Sequence, residues 1–152
     1  MGSRRRGREA ALQMLYLMDV SGVGAEDALR LYWAHLGGGF EEGRDLADTL
    51  VRGYEAERDR IDGFIRNVSH HWRLERMSRV DRNILRLATY ELLQMPDVPR
   101  RVTLNEAVEL AKQLGARLDI VSAYEPVSNQ RLREEARQVP ADLEWMVNPR
   151  ED

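Results

Sequence analysis

The chain has 152 residues, 43% hydrophobic and 32% charged, with a formal net charge of −3. That is the size and balance of a single globular domain able to bury a sizeable core, and it argues against wholesale disorder. Cysteine is absent, so disulfides, cysteine-ligated zinc and a cysteine nucleophile are excluded.

The N-terminus carries arginines but no apolar signal segment. No stretch approaches the roughly 18 consecutive apolar residues of a membrane span, so a cytoplasmic protein without a membrane segment is expected. Charge is unevenly placed: Arg4, Arg5, Arg6 and Arg8 stand in a stretch without acidic residues, whereas the charges of 41–62 are mostly acidic. A basic patch on an acidic body suits a protein that holds phosphate in one place and meets another protein elsewhere.

The recurring apolar period is helical, with no sustained alternation. The first helix is expected to start after Ser3 as N-cap and to stop near Val20, before Gly22 and Gly24. A second covers 25–36 and ends in Gly37, Gly38 and Gly39. A third, long helix covers 41–68, with Leu46, Leu50, Tyr54, Ile61, Phe64, Ile65 and Val68 inward and a possible bend at Gly53. The stretch 69–77, with His70, His71 and Trp72, reads as a short connector. Ser78-Arg79-Val80-Asp81 is a capping pattern that starts a helix running to about Met95, where Pro96 and Pro99 prevent continuation. Thr103-Leu104-Asn105-Glu106 repeats the capping pattern, and Gly115 is placed as the stop. A last helix is expected over 127–138 and a flexible tail over 139–152.

On a helical wheel, Ala10, Ala11, Met14, Leu15, Leu17 and Met18 form a broad apolar arc, while Arg5, Glu9 and Tyr16 gather within about 40° on the opposite side. An aromatic in line with arginines suits base stacking beside phosphate contacts. The alternative is a solvated helix end with Tyr16 packed against another helix. Arg79, Arg82 and Arg86, with Tyr90 adjoining, make a second basic stripe, for which a solvated face is the favoured reading. Glu91 falls inside the apolar arc of its helix, which points to a structural pair with an arginine rather than to catalysis. His70 and His71 are adjacent, and His35 is the only other histidine. They do not have metal-ligand spacing, and no phosphate loop, nucleophile elbow or dinucleotide fingerprint occurs. Neither an enzyme nor a cofactor or metal site is expected.

Two regions carry a more specific signal: the arginine run with Glu9 followed by Ala-Leu-Gln-Met-Leu-Tyr at 11–16, and the block around 80–112. The block includes Val80-Asp81-Arg82-Asn83-Ile84-Leu85-Arg86-Leu87-Ala88, Tyr90-Glu91-Leu92, Asp97-Val98-Pro99, Val102 and Asn105-Glu106-Ala107-Val108-Glu109-Leu110-Ala111-Lys112. In these residues the chain resembles the NusB family of bacterial antitermination factors, over roughly 4–115. After Ala116 the family's usual Phe-Val-Asn-Gly-Val-Leu-Asp helix start is replaced by Leu118-Asp119-Ile120-Val121-Ser122-Ala123-Tyr124-Glu125-Pro126.

The resemblance implies an all-α fold, a compact bundle of about seven helices in two packed halves, with an RNA-binding domain over 1–138. It implies binding to the boxA element of nascent ribosomal RNA, with ribosomal protein NusE as partner in an RNA polymerase antitermination complex. Carried over by position, the RNA contacts are Arg4, Arg5, Arg6, Arg8, Tyr16 and Asp81, with Arg100 and Arg101 near that surface. Two rivals remain at this point: a NusB-like protein–protein adaptor without RNA binding, and an accessory RNA-binding subunit for rRNA modification.

Overall fold

The computed structural model describes residues 2–36, 41–69 and 73–115. Among these, all regular structure is helical, with six α-helices, two of them extended by π-helical turns, and a separate 3-10 turn at Leu74–Arg76. The expected features Gly37–Gly39, His70, His71 and Trp72, the divergent sequence after Ala116, the 127–138 helix and the 139–152 tail all lie outside the described residues. No helix among the described residues is long and apolar enough to cross a membrane.

Helix α1 (Ser3–Ser21) takes Gly2, not Ser3, as its N-cap and ends at Gly22, whose N–H bonds the Met18 carbonyl. From Ala10 to Val20 only Gln13, Tyr16 and Asp19 carry polar side-chain atoms. A helix that is apolar almost all round is a buried one. Helices α2 (Ala25–Leu31), α3 (Arg44–Ala56) and α5 (Arg79–Gln94) all pack against α1, and they cover the arc that the wheel left to solvent. Leu12 and Tyr16 are accordingly in the core, at 0% and 1% exposure.

Helix α2 begins where the Ala25 N–H donates to Glu55 on α3, 2.6 Å away, and it widens into a π-helical turn over Tyr32–Leu36. The single helix expected over 41–68 is two: α3 and α4 (Arg58–Val68), broken at Glu57 rather than at Gly53. Apart from Ala56, no apolar residue stands between Tyr54 and Ile61, so the core gives no reason to keep the axis straight there. Gly53 stays within α3, where a side chain would run into the Tyr90 ring of α5. Two positions expected inward on α4, Phe64 and Val68, are exposed, whereas Ile61, Asp62 and Ile65 are buried.

Ser78 caps α5 as the pattern predicts, its Oγ accepting from the Asp81 N–H at 3.1 Å. The next helix, α6 (Arg100–Leu110), starts three residues before the second capping pattern, because Pro99 itself takes the N-cap place and its carbonyl accepts from Val102 and Thr103. Thr103 is therefore interior, 1% exposed, and its hydroxyl finds no partner among the described residues. A π-helical turn, Ala111–Gly115, continues α6. Helices α1–α3 form one group and α4–α6 another. Contacts of α5 with α1 and α3 join the two.

Candidate nucleic-acid interface

Two charged rungs set α1 and α5 antiparallel. Near the start of α1, Arg8 donates to Glu91 in a bidentate pair of 2.7–3.1 Å, both side chains 3% exposed. Near its end, Asp19 accepts from Arg82 at 2.6 and 2.9 Å and from Asn83 at 3.1 Å. The sequence expectation that Glu91 pairs with an arginine thus holds, and Arg8 is the partner. A third pair, Arg5 to Glu106 at 3.0 and 3.1 Å, ties α1 to α6. Gly7 lies so close to the Gly43 backbone before α3 that a Cβ on Gly7 would come within 2.6 Å of the Gly43 carbonyl oxygen. The arginine-bearing turn of α1 is consequently fixed at a junction of α3, α5 and α6.

The four N-terminal arginines meet different fates there. Arg4 is exposed, lacks an ion pair among the described residues, and faces the proline elbow between α5 and α6. Arg5 keeps a 37% exposed side chain but is committed to Glu106, whose carboxyl its hydrogen bonds hold below the usual carboxylate range. Arg6, also 37% exposed, stands 3.9 Å from Glu42. Arg8 is buried on Glu91 and offers nothing to a ligand in this arrangement. The carboxyl of Glu9, which follows Arg8 in sequence, is pushed up by partial burial.

Tyr16 does not face solvent as the wheel predicts, and its ring has no surface on which a base could stack. The signal that would have found this is the nearly unbroken apolar run 10–20. The stripe Arg79, Arg82 and Arg86 also departs from expectation. Arg82 and Arg86 are only 14% and 13% exposed, pairing with Asp19 and Asp62, so they form an internal network and not a solvated face. Tyr54 donates into the same Asp62 carboxylate at 3.0 Å. The partners Asp19 and Asp62 carried no sequence signal beyond their charge.

Asp81 is exposed on the first turn of α5. Thirteen residues of helix place it about 20 Å from Gln94 and the elbow, so it does not share the surface of Arg4. Arg100 and Arg101 do belong to that end: both are exposed on the first turn of α6 and neither has an ion pair among the described residues. Arg4, Gln94–Pro99 and Val102 enclose a groove of about 590 Å³. One end of the molecule therefore presents Arg4 on an open groove and the uncommitted Arg100 and Arg101 on the helix turn that follows it, the chemistry of a phosphate-bearing ligand.

Residues 5–119 match the family model described as NusB family. The chain belongs to the NusB family. The transcription antitermination protein NusB of Sorangium cellulosum is 49% identical over 116 residues, covering 76% of this chain and 82% of that protein. Its counterpart in Myxococcus xanthus is 47% identical over 118 residues (76% and 84%), and that of Geobacter sulfurreducens is 49% identical over 115 residues (76% and 83%). The NusB match ends at 119, close to the Ala116 departure read in the sequence. It takes in the α1 rungs, the elbow and both α6 arginines.

Proposed function

We propose that this protein is an RNA-binding transcription antitermination factor. It holds a boxA-like single strand of nascent ribosomal RNA across the α1–α6 end and joins an RNA polymerase antitermination complex together with ribosomal protein NusE. The observation that carries the reading is the presence at one end of Arg4, Arg100 and Arg101, exposed and without ion pairs among the described residues, in a member of a family whose relatives carry the antitermination name. On a chain of net charge −3, such a cluster localises phosphate binding to one end and leaves other faces for protein contact.

Fluorescence anisotropy with a labelled boxA-like RNA and a scrambled strand tests this. The boxA-like strand binds more tightly, and three neutralised phosphates give a log–log salt slope of about −2, at roughly −0.7 each. Adding NusE tightens RNA binding, because a ternary complex raises effective concentration. Equal binding of the two strands at physiological salt, with no tightening in a mixture shown to contain the protein pair, would leave the adaptor reading instead.

A further inference from the structure

We infer that the groove between Arg4 and the proline elbow is a nucleotide-binding subsite that takes one unstacked base of the bound RNA. This rests on the RNA reading above and assigns a base-holding role to residues 94–99 and Val102, which the sequence resemblance did not include among the contacts. Its volume, about 590 Å³, falls within the range of small-ligand sites. Met95, Pro96, Val98, Pro99 and Val102 supply apolar surface for a base face, and Gln94 and Asp97 supply acceptors and an amide donor for its edge.

The groove is preformed. Pro96 and Pro99 each fix a backbone torsion, and the Val98 N–H closes the turn on the Met95 carbonyl at 3.1 Å. Little ordering is then left for binding. Charge decides the orientation: the Asp97 carboxylate repels phosphate from the elbow, whereas Arg4 on one side and Arg100 and Arg101 on the helix that follows attract it. No acidic residue lies in the first turn of α6 to offset them. The base points into the groove and its phosphates lie toward the arginines. A second groove, of about 290 Å³, is lined by Asp19, Tyr54, Asp62 and Arg86, which already satisfy one another, and by Arg58, whose guanidinium lies over the Tyr54 ring at 5.7 Å.

The test compares Val102→Glu with Val108→Glu. Both residues are exposed on α6, at 39% and 52%, so the charge change is the same, but only Val102 lines the groove. Against the boxA-like RNA, Val102→Glu weakens binding about tenfold, the size of one lost base contact, while Val108→Glu stays within about twofold. RNA carrying 4-thiouridine crosslinks, on irradiation, to the peptide spanning 94–102. Arg4→Gln, at an exposed position on the groove wall, provides a second variant and lowers affinity should Val102→Glu melt early. Equal losses in the two glutamate variants, or crosslinks confined to other segments, overturn the subsite while RNA binding by the unmodified protein stands. Failure of the unmodified protein to bind RNA overturns both.

Discussion

Burial removes Arg8 and Tyr16 from any direct contact with ligand and makes them structural. The Tyr16 ring is 1% exposed, so Tyr16→Ala is expected to cost about 3–5 kcal/mol in urea unfolding, as truncation of a buried ring does. RNA affinity of the folded fraction should be unchanged. A fall in affinity without a fall in stability would return Tyr16 to the interface. Glu91→Ala leaves the Arg8 guanidinium charged and unpaired in the core, which costs about 3–5 kcal/mol. Replacing both partners together, Arg8→Met with Glu91→Leu, should recover most of that loss, because the penalty belongs to the orphaned charge and not to the pair.

Between elements, close approach overrides propensity. Alanine is favoured over glycine in a helix interior by about 1 kcal/mol, yet a Cβ on Gly53 of α3 would run into the Tyr90 ring of α5. Gly53→Ala should therefore destabilise, by about 1–3 kcal/mol as overpacking does. In a Tyr90→Ala background the same change should be neutral or stabilising, a non-additivity that urea melts of the four proteins would measure. Simple additivity would mean that α3 and α5 do not meet at these two residues. Gly7 and Gly43 make the same kind of contact between α1 and the start of α3, and so set the orientation of the arginine-bearing turn.

Across the whole molecule, one pair ties the packing of α1 and α6 to an arginine of the proposed RNA-binding end. Glu106 holds Arg5 between α1 and α6, and the hydrogen bonds from Arg5 lower its pKa from the ordinary 4.5. A carboxylate lowered on folding contributes stability above its unfolded pKa, and that contribution is lost as the pH falls through the folded value. Glu9 acts in the opposite sense, since burial raises it and protonation favours its folded environment. Glu106→Gln should thus be less stable than the parent at neutral pH and lose less stability below pH 4.5. At neutral pH it should also bind RNA several-fold more tightly, with a salt slope steeper by about 0.7, because Arg5 is released to a phosphate. Unchanged affinity and slope would mean that Arg5 takes no part in RNA binding.

The sequence by itself determined the all-helical class, the family, and the helix boundaries where local chemistry acts alone. Ser78 caps α5 through its own hydroxyl, Gly22 ends α1, and Pro96 stops α5, each by an interaction within a few residues. It also placed Glu91 on a buried face and pointed to an arginine as its partner. The tertiary structure decided everything that depends on which surfaces meet. A wheel separates one side of α1 from the other but cannot tell that helices cover both, so Tyr16 and Arg8 were legible as residue types and not as buried ones. Arg82 and Arg86 looked solvated because Asp19 and Asp62, their partners, are distant in sequence. Likewise, Arg4 meets the proline elbow only once α1 and α5 lie antiparallel. Local signals reach a few residues along the chain, and the groove exists only where segments some ninety residues apart are brought together.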